Sequence, residues 1–125
     1  MNFRFFKLSE FDSPDAPGSG AQHMNLDFVA ALDRIRDKCG FPLRVTSGYR
    51  TPEHNKRIGG AENSAHVQGV AADLFIPEPR NHNRMKLLRA AIAEGISRIG
   101  WMDTALHLDM SETLPQEVAW PYPKK

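Results

Sequence analysis

Two histidines and one aspartate have the residue types and the surroundings of a metal site. Asp73 is the one charged residue in the apolar run over residues 70–76, where an unpaired carboxylate would be costly to bury. His107 lies between two leucines, and His66 ends a glycine-containing loop seven positions before Asp73. Two imidazole nitrogens and one carboxylate oxygen suit zinc, and three protein ligands leave open the fourth position that a catalytic site needs. The pattern therefore predicts one zinc ion in a hydrolytic site.

Each of these residues also has a structural explanation. A histidine beside apolar residues is more often a hydrogen-bonded core residue than a metal ligand, and a buried aspartate can cap a turn or pair with Arg50. The remaining histidines stand at a helix entrance, at an exposed helix start and in a polar loop: His23, His54 and His82. We expect those three at the surface.

The elements that must position these residues are predicted from hydrophobic spacing. Apolar residues recur at three- and four-residue intervals over residues 25–39 and predict an amphipathic helix that Gly40 ends. Thr51 followed by Pro52 predicts the start of a short helix. Strands are predicted over residues 41–47, 70–76, 98–101 and 105–110, the last two as a hairpin, and a further helix over residues 84–95. Residues 1–20 are expected to form an arm that resists regular structure, and residues 111–125 a C-terminal tail.

This order of elements predicts an α+β fold in one domain spanning residues 1–125. Helices and strands do not alternate regularly, which favours a small antiparallel sheet with flanking helices over a doubly wound sheet. A chain of 125 residues with 41% hydrophobic and 25% charged residues is usual for one globular domain. The net charge of +1 argues against a broad nucleic-acid surface and a polybasic membrane patch. The single cysteine, Cys39, excludes an internal disulfide.

Three stretches resemble the zinc D-alanyl-D-alanine peptidase family. They are residues 47–55, residues 64–73 with the pattern Ser-x-His-x-x-Gly-x-Ala-x-Asp, and residues 107–109 with His-Leu-Asp. That family includes D-Ala-D-Ala carboxypeptidases, the dipeptidase of vancomycin resistance and the L-alanyl-D-glutamate endopeptidases of phage endolysins, and its fold is shared by the Hedgehog signalling domain. The sequence is most similar to the compact phage and prophage members, over nearly its whole length.

The resemblance implies a Hedgehog/DD-peptidase-like fold in which His66, Asp73 and His107 bind zinc and water takes the open position. It also implies that Arg50 lies near the substrate carbonyl, where a fixed guanidinium stabilises the developing oxyanion. The alternative for Arg50 is a structural ion pair with Asp73 or with the glutamate three residues further on.

The general base departs from the family pattern. Better-studied relatives have an acidic residue three positions before the last zinc histidine, and Thr104 occupies that position here. Asp109 follows His107 by two residues, so strand geometry places both side chains on one face; we rank Asp109 first as the base and Asp103 second. The alternative for Asp109 is support of a zinc ligand through a hydrogen bond to its imidazole.

Several further residues are candidates for contact with the substrate. Ser64 resembles a position that hydrogen-bonds substrate in the family. Tyr49, Trp101 and Trp120 are candidates for walls of the cleft, and each is equally suited to the core or to anchoring the C-terminal tail.

The predicted function is zinc-dependent hydrolysis of an amide bond in the peptide stem of bacterial peptidoglycan, by an endolysin-like endopeptidase or a D,D-carboxypeptidase. The alternative is a domain that keeps zinc for binding or structure without catalysis, because the acid near His107 is displaced. The N-terminus lacks the apolar region of a signal peptide. We therefore expect synthesis in the cytoplasm, and the charge gives no reason to expect nucleic-acid or membrane partners. The resemblance implies a phage- or prophage-encoded protein that acts on the cell wall after release, and we expect it to be a monomer.

Overall fold

A five-stranded sheet forms the centre of the fold. Its strands are β1 Arg44–Ser47, β2 Ala71–Phe75, β3 Arg98–Trp101, β4 Ala105–Asp109 and β5 Val118–Pro121. They lie in the order β1-β2-β4-β3-β5, with every pair antiparallel except the parallel pair of β3 and β5. The computed structural model, which describes residues 2–122, thus confirms the α+β class with a mostly antiparallel sheet.

Helices flank this sheet, and capping residues fix their ends. They are a 3-10 helix Leu8–Phe11 and the α-helices α1 Ser19–His23, α2 Leu26–Cys39, α3 Pro52–Arg57 and α4 Arg80–Ala93. The Asn25 side chain accepts a hydrogen bond from an amide in the first turn of α2, which ends at Gly40 in the left-handed conformation. The Thr51 hydroxyl accepts from the His54 amide at 3.1 Å and caps α3. None of the helices within residues 2–122 is long and apolar enough to cross a membrane.

The two faces of the sheet carry different side chains. Even-numbered residues of the two central strands pack with α2 and α4 in the hydrophobic core: Ala72, Leu74, Leu106 and Leu108. Because side chains alternate along a strand, Asp73, His107 and Asp109 project from the opposite face. The polar residues singled out in the sequence therefore lie together, on the face turned away from these two helices.

The N-terminal arm is more regular than the sequence predicts. It contains the 3-10 helix and the start of α1. The Asp12 carboxylate accepts hydrogen bonds from the Gly18 and Gly20 amides at 3.0 and 2.8 Å, and the Phe11 carbonyl accepts from the Tyr49 amide at 2.8 Å. Side-chain and long-range hydrogen bonds thus order a segment whose proline and glycine content indicated only turns.

The C-terminal segment forms a strand where the sequence predicted only a tail. β5 is short and contains Pro121, which an edge strand tolerates because one side needs no donor. The Val118 amide donates to the Ser97 carbonyl at 2.9 Å, and the Tyr122 amide donates to the Trp101 carbonyl at 2.8 Å. The predicted tail extends to residue 125, and its last three residues lie outside the described part of the chain.

Candidate metal centre

The three predicted ligands meet on the odd-numbered face of the sheet. Asp73 of β2 and His107 of β4 are direct partners across the antiparallel pair. His66 comes from the loop between α3 and β2. One nitrogen or oxygen of each side chain lies within 4.8 Å of the others, and all three residues are buried. The strand register therefore brings two of the candidate ligands together, and the loop supplies the third.

The His66 ring is oriented by the backbone. Its Nδ1 lies 2.7 Å from the Gly48 carbonyl, and because a carbonyl only accepts, Nδ1 carries the proton and Nε2 presents a lone pair. Nε2 is buried without a hydrogen-bond partner in residues 2–122, and it lies 3.2 Å from Asp73 Oδ1 in poor hydrogen-bond geometry. Burial lowers the pKa of His66, which favours this neutral form. Two lone pairs therefore face one another, an arrangement that a cation between them would satisfy.

The His107 ring lies between two carboxylates. Its Nδ1 is 2.8 Å from Asp73 Oδ1, and its Nε2 is 2.7 Å from Asp109 Oδ2. Burial alone would lower the pKa of His107, but the hydrogen bonds with Asp109 and Asp73 outweigh burial and raise it. With Nδ1 turned to the centre, Nε2–H can donate to Asp109, the carboxylate–histidine arrangement that orients metal ligands.

Asp109 lies on the side of the His107 ring opposite Asp73. Its Oδ1 accepts from Arg98 Nε at 2.7 Å and from the Ser111 amide at 3.0 Å, while its Oδ2 faces His107. The Asp109 carboxylate is fully buried. Both oxygens are thus engaged in hydrogen bonds, one with Arg98 and Ser111 and the other with His107, and this is the contact expected of a carboxylate that supports an imidazole ligand.

The donor set fits zinc. Zinc binds imidazole nitrogen and carboxylate oxygen at about 2.0–2.2 Å, so neighbouring ligand atoms in a tetrahedral site stand about 3.3 Å apart. Asp73 Oδ1 lies 2.8 Å from the His107 nitrogen and 3.2 Å from the His66 nitrogen. These separations approach the required spacing, and the unpaired His66 Nε2 supplies the lone pair that a metal needs.

Arg50 lies at the edge of the centre in a fixed position. Its guanidinium donates to the Ser47 hydroxyl at 3.0 Å and to Asn55 Oδ1 at 3.2 Å, and it forms an ion pair with Asp73 Oδ2 at 3.6 Å. The ion pair is the structural alternative considered for this residue. The same three contacts also hold a positive charge beside the centre, so the ion pair and a contact with substrate are compatible.

Two cavities open beside the centre. The larger one, of about 1300 Å³, runs between the N-terminal arm, β1, α3 and the β3–β4 hairpin, and is lined by Asp73, Asp103 and the exposed Trp101 among others. The smaller one, of about 280 Å³, is lined by Ser64 and His107 among others. The candidate substrate residues Ser64, Trp101 and Asp103 thus have access to space beside the ligands.

Tyr49, a third candidate wall of the cleft, lies elsewhere. Its side chain is buried, and its ring stacks on His23 at 4.5 Å between centroids. It lines neither of the two cavities. The structure therefore gives Tyr49 the core position that the sequence left as an alternative.

Arg98 and Tyr122 belong to the site although the sequence did not single them out. Arg98 is opposite Asp109 across the β3–β4 pair. The hairpin predicted from the sequence could therefore have indicated this contact. The Tyr122 ring stacks on His107 at 4.3 Å with an interplanar angle of 14°. Burial raises the pKa of Tyr122 to about 12. No sequence signal pointed to Tyr122, because the fold of β5 alone brings it there.

Comparisons with known proteins agree with this architecture. The structure is similar to the crystal structure of the L-Ala D-Glu endopeptidase ChiX of Serratia marcescens, with a TM-score of 0.50 and 18% identity, over 72% of this chain and 82% of that chain. At that identity the likeness establishes the fold. A search of curated protein sequences gave no significant match. A family model described as Peptidase M15 matches residues 7–109, which include all three candidate ligands, and the chain therefore belongs to the peptidase M15 family.

Proposed function

We propose that this peptidase uses zinc to hydrolyse an amide bond in the peptide stem of bacterial peptidoglycan. The observation that carries the proposal is the buried lone pair of His66 Nε2, which faces Asp73 Oδ1 beside His107 Nδ1. The family supports peptide hydrolysis. The fold shared with an L-Ala D-Glu endopeptidase supports the stem peptide as the substrate class.

Each residue of the site has a proposed task. Zinc held by the two histidines and Asp73 would supply Lewis acidity toward the scissile carbonyl and activate water near neutral pH. Asp109 would keep the His107 ring in position through the hydrogen bond to Nε2. Arg50, fixed by its contacts, would stabilise negative charge that develops on the carbonyl oxygen.

The shape of the site favours an endopeptidase over a carboxypeptidase. A carboxypeptidase needs a closed pocket for the terminal carboxylate, whereas an endopeptidase needs space on both sides of the scissile bond. The larger cavity reaches Asp73 and the smaller one reaches His107. A peptide that extends to both sides of the centre fits this arrangement, with Trp101 and Ser64 as proposed contacts.

Removal of the metal tests the proposal directly. Purified protein should cleave defined muropeptides as isolated, lose this activity after treatment with a chelator and regain it when zinc is added back. Mass spectrometry of the products would identify the bond that is cut. Muropeptides that stay intact in all three conditions would contradict the proposal and favour the alternative of a zinc-containing binding or structural domain.

Of the two candidate acids, we propose Asp103 as the base and Asp109 as the support of His107. Asp103 lines the larger cavity with an exposed side chain, whereas both Asp109 oxygens are engaged in a buried network. Asp103→Asn should lower kcat by about 100-fold or more while zinc stays bound. Asp109→Asn should weaken zinc binding by about 10- to 100-fold. Parallel assays of kcat and zinc affinity check both expectations, and the reverse pattern would make Asp109 the base.

A further inference from the structure

Tyr122, the residue that follows β5, lies directly on the candidate metal centre. Its ring is stacked on the His107 ring and its centroid is 6.4 Å from that of His66. The hydroxyl interacts with the charges of Arg50 and Asp73. The family match ends at residue 109, so this residue falls outside the part of the chain that the family accounts for.

A glycine in the sheet provides the space for the Tyr122 ring. Gly100 of β3 lies between His107 of β4 and Trp120 of β5 in the strand register. A Cβ atom at Gly100 would approach Tyr122 Cβ to 2.9 Å and its Cδ1 to 3.0 Å. The absence of a side chain at position 100 therefore leaves the space in which Tyr122 lies flat against His107.

The position of Tyr122 relative to the cavities indicates a contact with substrate. Tyr122 and Arg50 each line both the larger and the smaller cavity. A peptide that occupies both cavities must therefore pass these two side chains. A phenol hydroxyl is neutral near pH 7 and can donate one hydrogen bond, and beside a guanidinium it would form a second donor on the same side of the centre.

We propose that Tyr122 is a further catalytic residue of this site, whose hydroxyl donates a hydrogen bond to the scissile carbonyl oxygen beside Arg50. This inference rests on the proposed peptidase function. It assigns the C-terminal strand β5 a part in the reaction: the strand holds the donor through the backbone hydrogen bond from the Tyr122 amide to the Trp101 carbonyl. The donor is worth most in the transition state, because the carbonyl oxygen gains negative charge there.

The test compares Tyr122→Phe with Tyr49→Phe, which removes the hydroxyl of the chain's other tyrosine in the core outside both cavities. Tyr122→Phe keeps an aromatic ring beside His107 and removes the hydroxyl. Its kcat on muropeptides should fall about 100-fold with KM changed by less than about twofold. The affinity of its zinc-loaded form for acetohydroxamate, a zinc-directed carbonyl mimic, should fall about tenfold. Tyr49→Phe should match the unmodified protein in both assays.

The two assays separate this inference from the proposed function. If the unmodified protein cleaves no muropeptide, the proposed function fails, and the acetohydroxamate affinities still decide the role of Tyr122. Equal acetohydroxamate affinity in Tyr122→Phe and the unmodified protein would overturn the inference. An unmodified protein that binds no acetohydroxamate would overturn the inference and the zinc site together. Zinc content measured in every variant shows whether a loss comes from the donor or from the metal.

Discussion

Asp73→Asn is expected to leave the protein without bound zinc and to lower kcat by about 1000-fold or more. Asp73 Oδ1 lies close to one nitrogen of each histidine, 2.8 Å from His107 Nδ1 and 3.2 Å from His66 Nε2. An amide of the same shape carries no charge and is a much poorer zinc ligand. Loss of the metal removes several kcal/mol of transition-state stabilisation, and about 1.4 kcal/mol corresponds to a factor of ten.

Metal analysis after desalting, combined with turnover of muropeptides, checks this expectation. Asp37→Asn is the matched control, because Asp37 is exposed and its ion pair with Arg4 lies at the surface. Asp37→Asn should keep the zinc content and kcat of the unmodified protein. Zinc content equal to that of the unmodified protein in Asp73→Asn would contradict the assignment of Asp73 as a ligand, whatever the activity.

Arg98→Met is expected to lower the free energy of unfolding by about 3–5 kcal/mol. Arg98 and Asp109 form a buried ion pair at 2.7 Å, with 9% and 0% of their side-chain surfaces exposed. Removal of the arginine breaks this buried ion pair and leaves the Asp109 carboxylate with only the His107 ring and the Ser111 amide as partners, and removal of one partner of a buried ion pair costs about this much. The loss is a large part of the total stability of a small domain, which is about 5–15 kcal/mol.

Urea denaturation of the zinc-free proteins measures this effect without a contribution from metal binding. Arg34→Met is the comparison, because the Arg34 side chain is 57% exposed in its ion pair with Glu94, and its loss should cost less than about 1 kcal/mol. In a protein that already carries Asp109→Asn, Arg98→Met should lower the free energy of unfolding by less than it does in the unmodified protein. The difference should be at least about 1 kcal/mol, because the buried negative charge is absent. Equal costs in both backgrounds would show that Arg98 stabilises the fold through contacts other than the ion pair with Asp109, such as its hydrogen bond to the Pro115 carbonyl.

A chain of side-chain contacts connects Arg98 with Asp73. Arg98 holds Asp109, Asp109 holds His107, and His107 meets Asp73 at the metal centre. The same carboxylate thus contacts Arg98 of β3 and the candidate ligand His107 of β4. Arg98→Met should consequently weaken zinc binding as well as folding.

Much of the scaffold follows from signals that are local in the sequence. The helix α2 is marked by the spacing of its apolar residues and by Asn25 and Gly40 at its ends, and α3 by Thr51. Such signals are read correctly because a cap or a helix repeat involves residues a few positions apart. The candidate ligands followed from motif spacing and from the anomaly of Asp73 in an apolar strand.

The sequence by itself therefore determined the fold class, the main elements and the three residues that converge on the centre. Only the tertiary structure decided the positions of the residues around them: Asp109 contacts Arg98 and His107, Tyr49 lies in the core, and Tyr122 lies over the centre. The physical reason is that these positions depend on strand pairing and side-chain contact between segments far apart in the chain. The four-residue edge strand β5 is too short for its sequence pattern to predict that it pairs with β3. This pairing places Tyr122 on the candidate metal centre.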